Sequence, residues 1–320
     1  MTDIQWEAFS SNALAAAGVI YFLALISHLV EWASLRNSLA GKGVAEGEET
    51  RRVAMARIIG LTLTGFALVA HFAALVGRGM AADPNRVPWG NMYEFAVAGS
   101  FFMVLIYLLT VKKFGLVWLA PWLLIFVIAV LMTAAVWLYK PVAPLTEALN
   151  SYWLVIHVVA AVIATAAFSI GGILVILWLV KNRAEKKAAA KGVELTGYLA
   201  RIPDTKTLDR ISYRMHAFGF PVWTFAVLIT GPIWAHEAWS RYWNWDPKEV
   251  WAFITWVVYA AYLHARTTAG MRGKVASVLA LVGLATLWWS FIGVNFFSSN
   301  SMHSYAESAA VVTTVDSVGR

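Results

Sequence analysis

The segment WSRYWNWDPKEVW, residues 239–251, places four tryptophans and a tyrosine in a short polar link between two long apolar segments. Trp239 and Trp243 are four residues apart, and Tyr242 and Trp245 are three apart, so in a helix their rings would form one continuous surface. Aromatic residues also anchor helices at membrane interfaces. That explanation suffices for one or two tryptophans, whereas this density favours a binding surface for a flat aromatic ligand.

Two of the seven histidines are candidate ligands at the same level of the protein. His157 and His303 each lie where an apolar segment meets a loop. A lone histidine at such a place is more often a hydrogen-bonded structural residue. Two of them beside a dense group of indoles instead predict haem, because neutral imidazole is a common axial ligand of haem iron and a pair fills both axial positions.

A second pair of histidines lies deeper in the apolar segments. With a rise of about 1.5 Å per residue, His264 and His28 come to similar depths near the opposite side of the membrane. An ionisable group inside a span is costly unless a partner or ligand compensates, so it is functional by default. The two predict an inner haem site, with Glu31 as a hydrogen-bond acceptor one turn beyond His28. The alternative is that His28 is a structural residue between helices.

The sequence DPKE within the aromatic segment also has a structural interpretation. Asp246 as the N-cap, Pro247 at the first helical position and Glu249 at the third predict the start of a helix. Lys248 and Arg241 are predicted partners for the anionic propionates of a haem. The predicted cofactor-binding set is His157, His303, Trp239, Trp243, Trp245, Asp246, Arg241, Lys248, His264 and His28. The predicted iron ligands are His157, His303 and His264, and no residue is predicted to be catalytic.

Composition determines the class of protein. Apolar residues make up 60% of the 320 residues and charged residues 13%, with seventeen tryptophans, which excludes an ordinary soluble fold. Runs of about 20 apolar residues, enough to cross roughly 30 Å of hydrocarbon, recur along the chain. We predict one membrane domain, residues 1–320, that is all-α, because helices of this length satisfy their own backbone hydrogen bonds in lipid. The eight predicted spans of this helical bundle are 11–33, 54–77, 92–111, 115–138, 152–180, 215–235, 250–267 and 275–296.

The distribution of Lys and Arg predicts the orientation, because positive loops are retained in the cytoplasm. Nineteen of the 25 Lys and Arg lie in the loops after spans one, three, five and seven or at the adjoining helix ends. Both termini are therefore predicted to be extracytoplasmic, together with a Trp-rich loop at 236–250, called the Trp loop below, and a tail at 300–320. A basic loop at 181–214 is predicted to be cytoplasmic. The formal charge of +7 then reflects topology and lipid contact rather than nucleic-acid binding.

The chain contains no cysteine, so it can neither form a disulfide nor perform thiol exchange. Any thiol chemistry belongs to a substrate or a partner. Residues 1–12 carry no Lys or Arg, and the first apolar run already has spanning length, so the first helix is predicted to remain in the protein. With no transit peptide, a bacterial plasma membrane is the predicted location.

A resemblance to a known family rests on the segment WSRYWNWDPKEVWAFITWVVYAAYLHAR, with ALNSYWLVIHVV upstream and FIGVNFFSSNSMHSY downstream. These segments resemble the haem-handling cytochrome c biogenesis proteins that carry a WWD signature, and most of all their CcsA (ResC) branch, sometimes labelled CcsB. The resemblance runs at least from VPWGNMYEF to HSY, about two thirds of the chain. Related proteins of the CcmC kind have fewer spans and those of the CcmF kind are much longer, so eight spans favour the CcsA branch.

The resemblance implies roles for individual histidines. His157 and His303 match the outer axial ligands of a haem b held by two histidines, and His264 matches an intramembrane ligand. In fused relatives the opposite inner ligand comes from the portion that corresponds to a separate CcsB (ResB) partner. The resemblance therefore leaves open whether His28 or a partner histidine faces His264.

The resemblance also implies a function in cytochrome c maturation. Haem would be presented on the extracytoplasmic side and attached through thioethers to the Cys-x-x-Cys-His segment of an apocytochrome c. The chain would act as a haem lyase component in a complex with its CcsB-type partner, and a thioredoxin-like protein could keep the thiols reduced. The alternative is a haem exporter, or a haem-transfer chaperone of the CcmC kind, without synthase activity. A bundle with an aromatic belt and no cofactor would instead be colourless when purified.

Overall fold

The fold is helical throughout the part of the chain that a computed structural model describes, which is residues 1–38, 46–143, 149–268, 271–298 and 301. No strand occurs in these ranges, which confirms the all-α prediction. The α-helices are α1 (Asp3–Ser38), α2 (Glu46–Met80), α3 (Met92–Phe114), α4 (Ala120–Thr133), α5 (Tyr152–Ala190), α6 (Tyr198–Arg201), α7 (Thr205–Thr224), α8 (Gly231–Trp239), α9 (Pro247–Thr267), α10 (Lys274–Trp288) and α11 (Val294–Phe297).

Seven helical stretches of the described chain are long and apolar enough to cross a membrane, so this is a multi-pass membrane protein. They correspond to all the predicted spans except 250–267, and they are Asp3–Ser34, Arg51–Met80, Met92–Phe114, Val117–Leu138, Tyr152–Ala190, Thr205–Trp239 and Lys274–Phe297. Helix α9 occupies the remaining predicted span and has 21 residues. Its tryptophans, tyrosines and His264 make it less apolar than the others. The count of eight, and with it the extracytoplasmic position of both termini, stays a prediction that depends on α9.

Two helix ends lie inside the predicted cytoplasmic loop 181–214. Helix α5 continues to Ala190, and α7 begins at Thr205 with Asp204 as its N-cap. The extension of α5 is rich in Lys, Glu and Ala, which are good helix formers. Much of this predicted loop is therefore helix.

Helix α5 lies at the centre of the bundle and contributes to the hydrophobic cores on both of its sides. Its Ile170 and Leu174 belong to a core shared with α1, α2, α3 and α4, and its Ala164 and Phe168 belong to a core shared with α7, α9 and α10. A helix that is apolar on all faces is expected to be buried in this way. The two halves of the bundle therefore meet along α5.

Three π-helical segments extend regular helices within the described ranges. They are Ala134–Leu138 after α4, Phe225–Thr230 between α7 and α8, and Trp289–Gly293 after α10. A π-turn shifts the hydrogen-bond register by one residue and often marks a functional site. The second and third of these segments border the cavity described next.

Candidate functional site

A cavity of about 200 Å³ separates α3 and α4 from α8, α9 and α10. Along α5 it is lined by His157, Ala161, Thr165 and Ser169, which are spaced by four and so share one helix face. Over these twelve residues the cavity extends about 18 Å along the helix. Its lining is mostly apolar and aromatic. At the end nearest the Trp loop, the lining includes Tyr242, Trp243, Lys248 and Glu249.

His157 lies in the wall of the cavity near this end, and its imidazole is held in one orientation. The ring Nδ1 lies 2.9 Å from the carbonyl oxygen of Ala226. Because a carbonyl only accepts hydrogen bonds, Nδ1 carries the hydrogen and the lone pair of the neutral ring is on Nε2. The ring also stacks on Trp234, with centroids 5.8 Å apart and an interplanar angle of 15°. Metal-binding histidines are commonly oriented by such a bond from the other ring nitrogen.

The π-helical segment Phe225–Thr230 explains why the Ala226 carbonyl is available at this place. The Ala226 carbonyl oxygen also accepts the Gly231 backbone N–H and, at 3.1 Å, the Thr230 hydroxyl. A Cβ atom at Gly231 would lie 3.2 Å from Cε1 of His157 and 3.0 Å from the Ala226 oxygen. A glycine at position 231 therefore permits the close approach between α5, which carries His157, and the segment that contains Ala226 and Gly231.

The Trp loop is not helical between Trp239 and Pro247, so the helical spacing that predicted one continuous ring surface does not apply. Helix α8 ends at Trp239, where Ser240 takes the left-handed conformation with φ 56°, and the chain is not helical again until Pro247. Trp239 packs edge-on against Trp234, with centroids 4.9 Å apart, and Trp234 in turn stacks on His157. The tryptophan side chains of the loop therefore lie in different environments.

The two other tryptophans of the loop point in different directions. Trp243 lines the cavity and packs edge-on against Phe253 at 6.2 Å between centroids. Trp245 is 75% exposed, and its ring contacts Trp243 edge-on at 5.9 Å. Trp243 is thus the indole of the loop that faces the cavity.

The predicted helix start at DPKE is confirmed as a capping box. The Asp246 side chain accepts the Lys248 backbone N–H at 2.9 Å, and the Glu249 side chain accepts the Asp246 backbone N–H at 3.1 Å. Glu249 also accepts the backbone N–H of Asn244 at 2.9 Å. Between these two amides lies Trp245, whose φ of 55° is unusual for a bulky residue. The two bonds to Glu249 hold that strained backbone in place.

Two cations of the Trp loop were predicted to bind propionates, and the structure separates them. Lys248 lines the cavity, whereas Arg241 is exposed and donates to the Asn244 side chain at 2.9 Å. Lys248 precedes the predicted membrane span of α9. Loss of contact with water lowers the pKa of its ammonium group from the usual 10.5 to about 8, against the opposing effect of the Asp246 carboxylate.

His28 and His264 lie in different surroundings. His28 is fully buried where α1 packs on α2, and a Cβ at Gly60 would lie 2.7 Å from its Nε2. Its Nδ1 lies 3.3 Å from Glu31, the predicted acceptor, which also binds Arg57 at 2.8 Å. These contacts lie at the interface between α1 and α2, whereas the His28 Nε2 atom is buried without a hydrogen-bond partner in the described part of the chain. His264 instead has an exposed side chain on α9, with Nδ1 3.5 Å from the Thr268 hydroxyl.

The prediction for His303 cannot be compared with the structure, because this residue lies outside the described ranges. The chain is described as far as Ser298 and again at Ser301. Ser301 is buried, and its hydroxyl donates to the Asp246 side chain at 2.8 Å.

A buried ionic network beside the site was missed by the sequence reasoning. Glu94, in the first turn of α3, accepts from Arg78 at 2.9 Å, from Arg86 at 2.8 Å and from the Gly90 backbone N–H at 2.6 Å. These bonds hold the link between α2 and α3, which contains Trp89. Trp89 belongs to the same buried cluster as Leu154, Val158 and Trp234. The signal available in the sequence was the group of charges around VPWGNMYEF, next to two predicted spans.

Comparison with known proteins adds independent information. A family model for cytochrome c assembly proteins matches residues 89–302. The chain is 42% identical over 173 residues to the cytochrome c biogenesis protein CcsA of Guillardia theta, which covers 51% of this chain and 57% of that protein. It is 36% identical over 229 residues to CcsA of Chlamydomonas reinhardtii, covering 69% and 61% respectively. These two matches span less than two thirds of each relative.

A third relative and one solved structure extend over nearly the whole chain. CcsA of Synechococcus sp. (strain JA-3-3Ab) is 29% identical over 350 residues, covering 94% of this chain and 95% of that protein. The solved structure of a cytochrome c haem lyase, CcmF, superposes with a TM-score of 0.63 at 16% identity, covering 91% of this chain and 47% of that one. At this identity the likeness concerns the fold alone. Because the family match includes the cavity, His157 and the Trp loop, the resemblance seen in the sequence is confirmed, and the chain belongs to the cytochrome c assembly protein family.

Proposed function

We propose that this protein binds haem in the membrane, presents it on the extracytoplasmic side and promotes its covalent attachment to apocytochrome c. It would act with a partner of the CcsB (ResB) type as a haem lyase component. His157 and His303 would be the axial ligands of the outer haem. Family membership and the CcsA relatives support the general role in cytochrome c maturation.

The observation that carries the proposal is the position of His157 in the wall of a large, mostly apolar cavity. Its Nδ1–H donates to the Ala226 carbonyl, so the lone pair of the neutral ring is on Nε2, the nitrogen that would bind the iron. Aromatic rings line the same cavity, and the Lys248 ammonium lies at the end near the Trp loop. An imidazole, flat aromatic walls and a cation at one end are the groups that a porphyrin with an iron centre and anionic propionates requires.

The reaction needs thiols that this chain does not contain. Each cysteine of an apocytochrome Cys-x-x-Cys-His segment would add its S–H across one vinyl group of haem, so that sulfur bonds one vinyl carbon and hydrogen the other. This addition involves no net oxidation or reduction. The contribution of the chain would be to hold and orient haem beside the incoming peptide. The histidine of that peptide would replace one of the two protein imidazoles.

The exposure of the His264 imidazole supports the proposal that a separate partner protein contacts α9. A polar ring on the outer surface of a membrane helix is costly to leave in lipid unless another group contacts it. We therefore propose that His264 faces a helix of the CcsB-type partner and binds an inner haem there. The tight packing of His28 against Gly60 favours this arrangement over a pair of His28 and His264.

An absorption spectrum and a maturation assay test the proposal together. The chain, co-expressed with its CcsB-type partner and a Cys-x-x-Cys-His apocytochrome in a host without a maturation system, is expected to yield covalent haem. The purified complex is expected to show a Soret band with the bands of a low-spin, bis-imidazole haem. A Soret band without covalent cytochrome c would instead favour a haem exporter or a chaperone of the CcmC kind. A colourless complex under all redox conditions would refute haem binding.

The affinity for haem is expected to depend on pH through Lys248. Below its pKa of about 8 the side chain is an ammonium ion that can pair with a propionate. Pairing raises that pKa in the bound state, so affinity should fall as pH rises above about 8, by at most about tenfold per pH unit. Haem titrations of the purified complex between about pH 7 and about pH 9.5 measure this.

The Lys248→Arg variant is the matched control for the pH dependence. Its guanidinium stays charged over this range, so its affinity should change less with pH. Equal pH dependence of the wild type and the variant would exclude Lys248 as a propionate partner. A second control is Arg241→Gln, which removes the exposed cation of the same loop and should leave the slope unchanged.

A further inference from the structure

One side of the cavity wall consists of aromatic rings that contact one another. The ring of Phe126 on α4 packs edge-on against Trp288 at the end of α10, with centroids 5.7 Å apart. Trp288 contacts Phe291 at 6.0 Å, and Phe291 contacts Phe95 on α3 at 6.5 Å, again edge-on. All four residues line the cavity. They are called the aromatic column below, and they join α3 and α4 to the other half of the bundle across the cavity.

The aromatic column forms a wall that is one side chain thick. Its four residues line the cavity and are also partly exposed. Their neighbours in the sequence include Ile125 on the α4 side, which is 48% exposed, and Ile292 on the α10 side, which is 44% exposed. Both stretches are long and apolar enough to cross a membrane, so these exposed side chains face lipid. A single layer of rings therefore separates the cavity from the hydrocarbon of the bilayer.

This side of the cavity can open without loss of backbone hydrogen bonds. Along α5 the two halves of the bundle share buried cores, whereas at the aromatic column they meet through rings that turn by rotation about side-chain bonds. Space for that rotation exists on the cavity side. Gly99 lies one turn after Phe95 on the same face of α3 and lines the cavity, and a Cβ atom at Gly99 would have no neighbour within 4 Å.

The depth of the aromatic column suits an amphipathic ligand of the outer leaflet. Phe95 lies in the first turn of α3, at the predicted outer side, and Phe126 lies near the middle of the stretch Val117–Leu138. Haem in a bilayer keeps its charged propionates at the headgroup level and its ring in the hydrocarbon, because burying a charge in lipid is costly. Lys248, the predicted propionate partner, lines the cavity at its outer end. Haem could therefore move sideways between lipid and cavity without turning over.

We propose that haem reaches His157 from the outer leaflet of the bilayer, through the side of the cavity that the aromatic column closes, with Phe126 and Trp288 as the gate. This inference rests on the proposed function, because it assumes that His157 binds haem. It makes the surrounding lipid, rather than a route inside the bundle, the immediate source of the outer haem. Movement of the rings then controls access, as lids do in other sites.

A reversible tether across the gate tests the proposal, and the absence of cysteine from the chain makes the tether specific. Phe126→Cys and Trp288→Cys are combined, and a short bis-methanethiosulfonate links the two thiols. The haem-depleted complex with its CcsB-type partner is placed in phosphatidylcholine vesicles and mixed with vesicles that carry hemin. The rate of the absorbance change that depends on His157 is then measured.

The untethered double variant is expected to take up haem faster than the wild type, because both gate rings are gone. Uptake should stop when the tether is present and return when a phosphine reductant cleaves it. Recovery shows that the tethered protein was folded. The wild-type chain with the same partner and the same reagent controls for cysteines of the partner. Uptake that continues unchanged with the tether in place would mean that haem arrives by another path, which overturns the proposal.

Single substitutions give a second measurement. Phe126→Ala should speed uptake about 2- to 10-fold, the effect of losing one aromatic pair from the closed state. The matched control is Phe72→Ala. Phe72 is 55% exposed on α2 and packs on Phe101 at 5.8 Å between centroids, but it does not line the cavity. The control should take up haem at the wild-type rate. Equal rates in the two variants, whether fast or slow, would contradict a specific gate.

The outcomes separate this inference from the proposed function. If the wild-type complex binds no haem, or if His157→Ala gives the same absorbance change as the wild type, the outer site and the gate both fail. If the absorbance change depends on His157 but not on the tether or on Phe126→Ala, the outer site stands. In that case only the lateral path through the aromatic column is overturned.

Discussion

Replacing His157 by alanine is expected to weaken haem binding at the outer site by more than about 100-fold, because loss even of a residue that merely orients a metal ligand commonly costs about 10- to 100-fold. Covalent cytochrome c should fall to background in the same variant. The physical reason is that the imidazole is aimed into the cavity by the Ala226 carbonyl and has no neighbour of the same chemistry in the described cavity wall. Haem titration and in-gel haem staining of cytochrome c measure the two effects.

The matched control for this prediction is His236→Ala. His236 is an exposed histidine of the Trp loop that stacks on Tyr242 at 4.3 Å between centroids, and it does not line the cavity. The His236→Ala variant should retain both haem and maturation activity. Imidazole added to His157→Ala should recover part of the low-spin spectrum. Normal haem content in His157→Ala would show that the ligand lies elsewhere.

Replacing Glu94 by alanine is expected to destabilise the protein by about 3–5 kcal/mol, the usual cost of breaking a buried ion pair. The Glu94 side chain is fully buried, and its removal leaves Arg78, which is 3% exposed, with the Glu7 carboxylate at 3.2 Å as its remaining ionic contact in the described chain. Arg86 and the Gly90 N–H lose the same partner. Thermal aggregation of the purified complex, followed by size-exclusion chromatography, should begin at least about 5 °C lower.

Glu185→Gln serves as the comparison for Glu94. Glu185 is 39% exposed and lies 3.7 Å from the buried Lys181 ammonium, which also donates to the carbonyl oxygens of Leu199 and Ile202, so the loss of this half-exposed ion pair should cost little. Its loss should leave the aggregation temperature nearly unchanged. Because Trp89 links the Glu94 network to the cluster around Trp234, Glu94→Ala should also lower haem content. An unchanged aggregation temperature in Glu94→Ala would contradict the structural role assigned to the network.

The features that could be predicted from the sequence depend on residues close together in the chain. Apolar runs of spanning length predicted the helices, and the DPKE pattern predicted the cap of α9, since the bonds of a cap join residues within about four positions. The Glu31 acceptor of His28 was predicted for the same reason, because residues three apart on a helix are neighbours. The signature around the Trp loop also identified the family.

The arrangement of the site could not be predicted, because it depends on which helices pack together. His157 and Ala226 are 69 positions apart, and their contact requires a π-turn and a glycine at position 231. Similar depths suggested that His28 and His264 face each other, yet depth says nothing about the direction in which a side chain points. One lies buried against α2 and the other is exposed on α9.

By itself, then, the sequence determined that this is an all-α membrane protein of the cytochrome c assembly family, where its helices run and which residue types are able to bind haem. Only the tertiary structure decided that Trp243 faces the cavity while Trp245 is exposed, and that Asp246 binds Ser301. Helix formation and capping are set by local hydrogen bonds and hydropathy. The cavity and the orientation of the side chains that line it are set by contacts between distant segments, whose free energies depend on the packing of the whole bundle.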